Sequence, residues 1–162
     1  MIAKAATISH GGNAVRYSVN KDKAEIVKVN FLPDDISAEA MYQRMVLKQK
    51  EFASTINKGR PLKRNVIRME ISPTKEESAG WTLDDWVRLA NEYIQIFDSI
   101  DLSKKAKRAS AKCTNVRNSQ YIVALHHDAK SGIPHLHIDV NRVDMDGKVN
   151  DDHLIAERAM SA

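Results

Sequence analysis

The sequence predicts an α+β fold in which helices flank a central antiparallel (or mixed) β-sheet of about five strands. Strand-like and helix-like segments follow one another without the regular strand–helix–strand alternation that is typical of a parallel sheet. The last two strand-like segments are joined by only seven residues, 128–134. This link is too short for a crossover helix, so the two strands should be antiparallel neighbours. With 162 residues, 43% of them hydrophobic, the chain is long enough to bury one core.

The first half of the chain is predicted to form two strands and two helices. Residues 2–8 are apolar and β-branched enough for a short strand, and Gly11-Gly12-Asn13 interrupts it before a short helix over 13–20. Residues 24–32 alternate like a half-buried strand. A helix over about 37–56 follows a turn, with Ser37 as its N-terminal cap.

The second half is predicted to add three strands and two helices. Thr82 through Asp85 resembles a capping box, which begins a helix that runs to about residue 99. Asp146-Gly147 is typical of a hairpin turn. The predicted strands are 65–72, 119–127 and 135–142, and residues 151–162 begin a helix that the chain end cuts off.

Composition excludes several classes of protein. The single cysteine, Cys113, cannot form an internal disulfide, which fits a reducing compartment. No apolar run reaches the ~18 residues of a membrane span, and the N-terminus lacks the apolar core of a signal peptide. We therefore expect a cytoplasmic protein with no membrane partner.

Basic residues are concentrated in two clusters, and the net charge is +4. Such clusters suit a phosphate backbone, because each neutralised phosphate releases counterions. An ordinary solvated surface explains either cluster alone equally well. The first cluster comprises Lys58, Arg60, Lys63 and Arg64, and the second comprises Lys104, Lys105, Lys107, Arg108 and Lys112.

Histidines are concentrated around the predicted fourth and fifth strands. His135 and His137 lie two residues apart, so strand alternation puts both on one face, and the same face continues with Asp139 and Asn141. The fourth strand ends at His126 and His127, and alternation alone does not decide which of them faces the pair. Three converging neutral imidazoles would form a divalent-metal site; the alternative is a surface pair beside an unrelated histidine.

The stretch from His127 to Asn141 resembles a known motif. A His-Asp pair, a short loop and then Pro-His-x-His-x-x-x-Asn resemble the third motif of the conjugative relaxases and mobilisation proteins of the HUH endonuclease superfamily. The whole chain resembles the N-terminal part of a MobA/VirD2-type relaxase, similar to those of Bacteroides mobile elements. This resemblance implies the palm fold of HUH relaxases, with one nicking domain over residues 1–162 that is truncated at its C-terminus.

The resemblance also implies roles for individual residues. Three histidines of the family hold a divalent cation against the scissile phosphate, and the matching residues are His127, His135 and His137, with His126 as the alternate for the first. Tyr17, which follows the Gly11-Gly12 approach, matches the nucleophile. Relaxases place this tyrosine before the histidine pair, whereas replication initiators usually place it after the pair.

Further residues are expected around this centre. Glu70 is the nearest match to the family's acidic residue, although a surface glutamate is an equally good reading. Asp128 and Glu70 are candidates to orient the metal-binding imidazoles, and Asp139 and Asn141 are candidates to line the phosphate site. Arg16 and the two basic clusters are predicted to contact DNA.

The implied activity is that of a DNA relaxase that nicks one strand at a transfer origin and forms a 5′-phosphotyrosine, for conjugative transfer or for plasmid or transposon mobilisation. The expected cofactor is Mn²⁺ or Mg²⁺, with Zn²⁺ or another transition metal as a further possibility. The expected partners are single-stranded DNA, accessory mobilisation proteins and a coupling protein. The alternatives are a replication initiator or transposase of the same superfamily, a non-catalytic DNA-binding module, and an unrelated histidine-metal hydrolase that would not need Tyr17.

Overall fold

Five strands form a single antiparallel sheet. The computed structural model describes residues 1–127 and 129–162, apart from the side chain of Asn57. The strand order across the sheet is β1-β3-β5-β4-β2, and each neighbouring pair is antiparallel. The predicted α+β class is therefore confirmed. The strands are β1 (Ile2–Ile8), β2 (Glu25–Asn30), β3 (Val66–Ser72), β4 (Tyr121–His126) and β5 (His135–Asn141).

The two helices for which capping residues were predicted begin at those residues. The Ser37 side chain accepts a hydrogen bond from the backbone N–H of Ala40, and Thr82 and Asp85 form a reciprocal capping box. Within the described part of the chain, no helix is both long and apolar enough to cross a membrane. The helices are α1 (Gly11–Asn20), α2 (Ala38–Glu51), α3 (Leu83–Ser99), α4 (Ser103–Ala106) and α5 (Ile155–Ser161).

Helix α2 ends at Glu51, before its predicted end near residue 56. The Thr55 hydroxyl donates a hydrogen bond to the backbone carbonyl of Phe52. Such local side-chain bonds to the backbone offer it an alternative to continuing the helix. The chain therefore turns through residues 52–56 instead of extending α2.

Both faces of the sheet are covered, so the molecule has three layers. One face packs against α3 and α5 through the larger cluster of buried residues, which includes Met69, Phe97 and Ile138. The opposite face packs against α1 and α2 through a smaller cluster that includes Val15 and Met41. The central strands are thus buried on both faces, which leaves polar residues on them in need of partners.

The C-terminal segment is fastened by polar contacts. The predicted hairpin turn at Asp146-Gly147 is present: Val143 and Val149 form a bridge across it, and the Asp144 carboxylate accepts hydrogen bonds from backbone N–H groups inside it. In α5, the buried Arg158 donates hydrogen bonds to the carbonyl groups of Phe97, Ile100 and Ala111. These bonds hold α5 against α3 and the segment that follows it.

Candidate active site

Three histidines converge where the β4–β5 hairpin opens. His126, the last residue of β4, lies directly opposite His135, the first residue of β5, and His137 follows on the same face. The ring centroids are 4.1 Å apart for His126 and His137, 4.9 Å for His135 and His137, and 5.5 Å for His126 and His135. One nitrogen from each ring lies within 4.8 Å of the other two, which is compatible with a shared metal ion.

His126, and not His127, completes this cluster. The His127 side chain is 40% exposed, and its Nε2 lies 2.9 Å from the carboxylate of Glu25 in β2. The strand register puts His126 opposite His135, and its neighbour in the chain then lies outside the cluster. The structure thus groups the alternate, His126, with His135 and His137, and the choice of first metal ligand stays a prediction.

The His137 imidazole is in the form that binds metal. Burial, together with the charges of His126, His135, Arg68 and Lys21, lowers the pKa of His137 to about 3. His137 is therefore neutral near pH 7 and keeps a lone pair for a ligand bond. Three neutral imidazoles suit a divalent transition metal and leave coordination positions for substrate oxygens.

A backbone carbonyl orients His126. Its Nε2 lies 2.8 Å from the carbonyl oxygen of Ser18 in α1. A carbonyl oxygen can only accept, so Nε2 carries the hydrogen and Nδ1 carries the lone pair. This arrangement is the usual way in which a second contact fixes the tautomer of a metal-binding histidine.

Tyr17 lies over the histidine cluster. Its ring centroid is 5.6 Å from that of His126 and 5.7 Å from that of His137, and the residue is 41% exposed. Helix α1 reaches this position because it begins with Gly11, where a Cβ atom would lie 2.4 Å from a methyl group of Val66. A side chain at Gly11 would push α1, and Tyr17 with it, away from the sheet.

Two cations beside Tyr17 were not predicted. The Lys21 ammonium group, one helical turn further along the chain, donates a hydrogen bond to the Tyr17 hydroxyl. The Arg68 guanidinium lies 5.0 Å from the Tyr17 ring centroid, and its Nη2 is 3.3 Å from Nδ1 of His137. The sequence carries a signal for each: the i, i+4 spacing of Tyr17 and Lys21, and the alternation that puts Arg68 on the same strand face as Glu70.

The acidic residues of the prediction have different environments. Glu70 is opposite His137 in the β3–β5 register and lines a cavity with His135, but the described contacts include no hydrogen bond from it to a histidine. Asp139 is fully buried on the same face as His137. Burial raises the pKa of Asp139 to about 6, and the Ser18 hydroxyl and Arg68 act in the opposite direction. Asp128 lies outside the described residues.

Asn141 is engaged by hydrogen bonds inside the protein. Its amide nitrogen donates to the Met45 carbonyl and to the Gln120 side chain, and its amide oxygen accepts from Gln49 and from the backbone of Val143. The residue is fully buried. These bonds join β5 to α2, and a place for Asn141 in the phosphate site stays a prediction.

Two cavities flank Tyr17, and both are lined by basic groups. The first, of about 520 Å³, is lined by Arg64 and Arg68 together with the start of α1. The second, of about 470 Å³, is lined by Lys4, Lys21 and Lys130, beside Glu70 and His135. Arg64, which lines the first cavity, belongs to the first predicted basic cluster. The other members of that cluster, Lys58, Arg60 and Lys63, are exposed on the loop before β3.

Several predicted DNA contacts are already engaged within the protein. Arg16 forms an ion pair with Glu39 of α2 and a hydrogen bond to Asn13, so it joins two helices instead of contacting Tyr17. In the second basic cluster, Lys105 pairs with Glu157 and Arg108 pairs with Asp151. Lys104 and Lys107 are exposed.

The sequence was then compared with known protein families. Residues 16–162 match the family described as relaxase, MobA/VirD2-like, nuclease domain. The chain belongs to this family. The matched range contains Tyr17, Arg68 and the three clustered histidines. No curated protein matches the sequence.

Membership of this family gives the site its general activity. A relaxase nuclease domain is a metal-dependent, DNA-nicking domain. A histidine triad of the kind that binds metal is present, and basic cavities lie on both sides of the exposed tyrosine.

Proposed function

We propose that this relaxase domain nicks one DNA strand at a transfer origin by transesterification, with Tyr17 as the nucleophile. The observation that carries the proposal is the convergence of the exposed Tyr17 ring on His126 and His137. A tyrosine has no structural need to stand half-exposed against imidazoles, whereas a nucleophile must stand beside the group that binds the phosphate.

The reaction exchanges one phosphate ester for another. The Tyr17 hydroxyl loses its proton to solvent, and its oxygen forms a bond to the scissile phosphorus. The bond from phosphorus to the 3′ oxygen breaks, and that oxygen takes up a proton and leaves as a 3′-hydroxyl. The product is a 5′-phosphotyrosine, so an ester bond is retained and the strand can later be rejoined.

The chain's own residues set up this step. A divalent cation (Mn²⁺ or Mg²⁺, or another transition metal) held by His126, His135 and His137 would supply positive charge to the non-bridging phosphate oxygens. Lys21 donates a hydrogen bond to the attacking oxygen and stabilises the negative charge that forms there when the proton leaves. The Ser18 carbonyl holds His126 in a fixed orientation.

Single-stranded DNA fits the surface around Tyr17. The basic cavities on either side of the ring would receive the sugar-phosphate backbone before and after the scissile bond. Lys58, Arg60, Lys63 and Arg64, with Lys104 and Lys107, would extend this contact. We further propose a cytoplasmic role in conjugation or in plasmid or transposon mobilisation, with accessory mobilisation proteins and a coupling protein as partners.

A pool of randomised single-stranded oligonucleotides tests the activity without knowledge of the nicking sequence. The protein would be incubated with the pool and Mn²⁺, separated on a denaturing gel, and the DNA that stays attached would be sequenced from its linked end. The expected result is a covalent protein–DNA band with one enriched sequence, which disappears in Tyr17→Phe and in His135→Ala.

Tyr42→Phe is the matched control, because Tyr42 accepts a hydrogen bond from Asn65 at the α1–α2 side of the sheet and does not contact the histidines. This variant should keep the covalent band. Cleavage that persists in Tyr17→Phe would contradict Tyr17 as the nucleophile. DNA binding without any adduct, in every protein, would favour a non-catalytic DNA-binding module.

A further inference from the structure

A guanidinium group lies beside both the histidine cluster and Tyr17. Arg68 lies in the middle of β3, with its Nη2 3.3 Å from Nδ1 of His137 and its Cζ 5.0 Å from the Tyr17 ring centroid. Its partner in the β3–β5 register is the buried Asp139, whose charge favours a cation here. A fixed positive charge beside three histidines opposes the binding of a metal cation.

The contact with Arg68 fixes the tautomer of His137. A guanidinium has five N–H donors and no acceptor, so Arg68 can only donate to Nδ1. Nδ1 must therefore carry the lone pair. In the neutral imidazole, the hydrogen is then on Nε2.

This contact is incompatible with a metal ion on His137. A bond through Nδ1 would use the lone pair that accepts from Arg68. A bond through Nε2 would leave the hydrogen on Nδ1, so that two N–H groups would face each other. Whichever nitrogen binds the metal, Arg68 must move away from His137.

We propose that Arg68 and the metal ion exclude each other at His137, and that the displaced Arg68 binds the scissile phosphate. This inference rests on the proposed nicking function. Arg68 lines the cavity of about 520 Å³ that also contains Arg64 and Tyr17, and the described residues that line this cavity include no carboxylate. A guanidinium can bind two phosphate oxygens at once, with better geometry than an ammonium group.

The exclusion couples the binding of metal to the binding of DNA. Because a phosphate in the cavity holds Arg68 away from His137, DNA should raise the affinity for metal. By thermodynamic linkage, metal should raise the affinity for DNA by the same factor. The relaxase would then assemble its reactive centre mainly when both are present.

Titration calorimetry with Mn²⁺ alone tests the exclusion. Wild type, Arg68→Gln and Arg88→Gln would be compared without DNA. Arg88→Gln removes the same charge from an exposed position on α3, on the other face of the sheet. Arg68→Gln should bind Mn²⁺ roughly tenfold more tightly than wild type, because the opposing charge is gone and the neutral amide is a weaker, shorter competitor for Nδ1, and Arg88→Gln should match wild type.

Equal Mn²⁺ affinities for wild type and Arg68→Gln would overturn the exclusion and leave the nicking function standing. Failure of all three proteins to bind Mn²⁺ would instead overturn the proposed metal-dependent function. The two failures are therefore distinguishable.

The second arm measures binding of an oligothymidylate about twelve nucleotides long at saturating Mn²⁺, by fluorescence anisotropy. Arg68→Gln should bind roughly fivefold more weakly than Arg88→Gln, and the slope of log affinity against log salt should fall by about one. Arg68→Lys keeps the charge, so it should retain the wild-type salt slope. DNA binding by Arg68→Gln that equals that of Arg88→Gln would overturn the phosphate contact.

Discussion

At the scale of single residues, two neighbouring histidines differ in their hydrogen-bond partners. His126 is held by the Ser18 carbonyl inside the site, and His127 pairs with Glu25 outside it. His126→Ala should lower the affinity for Mn²⁺ at least roughly 100-fold, and His127→Ala should change it less than about twofold. Calorimetric titration of both variants checks this, and a larger loss in His127→Ala would restore the assignment implied by the family motif.

Sequence reasoning could not choose between these two histidines for a physical reason. Strand β4 is buried on both faces, so apolar residues occupy alternate and intervening positions alike, and no polar–apolar alternation marks the site face. The choice is made by pairing with β5, which is a contact between strands. His135 and His137 could be predicted as a pair because their spacing of two is local.

Lys21 is the residue whose chemistry is most closely tied to Tyr17. Lys21→Met keeps most of the side-chain length but removes the hydrogen bond to the hydroxyl. The rate of adduct formation should fall roughly 10- to 100-fold, while oligothymidylate affinity should change less than about threefold.

Single-turnover cleavage at one pH measures this effect. Lys21→Arg restores a positive donor, so it should recover part of the rate. A loss of rate that Lys21→Arg does not recover would mean that Lys21 only supports the end of α1.

At the scale of elements, α5 depends on one buried arginine. Arg158 is 1% exposed and supplies hydrogen bonds to three backbone carbonyl groups. Arg158→Met fills a similar volume but leaves these carbonyls without their donor, so the free energy of unfolding should fall by roughly 3 kcal/mol. Urea denaturation checks this, with the exposed Arg88→Met as a control that should change stability by less than about 0.5 kcal/mol. Equal stability of the two variants would contradict the role of Arg158.

The contact between α3 and α5 should also make the stability of the fold decrease at alkaline pH. Burial raises the pKa of Tyr93 well above its usual value, and its hydroxyl donates to the carbonyl of Ala159. The folded state keeps this proton above pH ~10, where the unfolded state loses it, so stability falls as pH rises. By about pH 11 the loss should be about 1.4 kcal/mol.

Tyr93→Phe isolates this effect from other titrations. The difference in free energy of unfolding between wild type and variant should shrink between about pH 9 and pH 11 by the amount given above. A difference that stays constant over this range would show that Tyr93 ionises equally in both states.

Element boundaries were predictable where local chemistry sets them. Ser37, Thr82 and Asp85 make their capping bonds within one turn of the chain, so the sequence itself indicates the start of α2 and α3. The early end of α2 depends on how residues 52–56 turn toward β3, and sequence propensity did not show this. Leu47 of α2 is 63% exposed although its side chain is apolar, because packing decides which side of the helix faces the sheet.

At the scale of the whole molecule, a metal ion bound at the open end of the β4–β5 hairpin should stabilise the folded state. Only the folded state brings the three histidines together, so Mn²⁺ at 100 times its dissociation constant should stabilise the protein by about 2.7 kcal/mol. For a chain of this size the melting temperature should rise by roughly 5–10 °C. Differential scanning fluorimetry with and without chelator checks this; the same rise in His135→Ala would mean that Mn²⁺ binds elsewhere.

The order of strands was beyond sequence reasoning. Alternation and turn signals identified all five strands, but the arrangement β1-β3-β5-β4-β2 depends on pairing between segments far apart in the chain. Only the β4–β5 neighbours were predictable, because the link between them is short.

That strand order has a consequence for how the protein is made. The β4–β5 hairpin lies between β3 and β2, so β2 cannot join the β1–β3 pair in one sheet until the hairpin has left the ribosome. Long-range pairings of this kind delay folding. Under the function proposed above, a nascent chain would display Tyr17 before it has the histidines of the metal site, and an unfinished nickase would be harmless to the DNA around it.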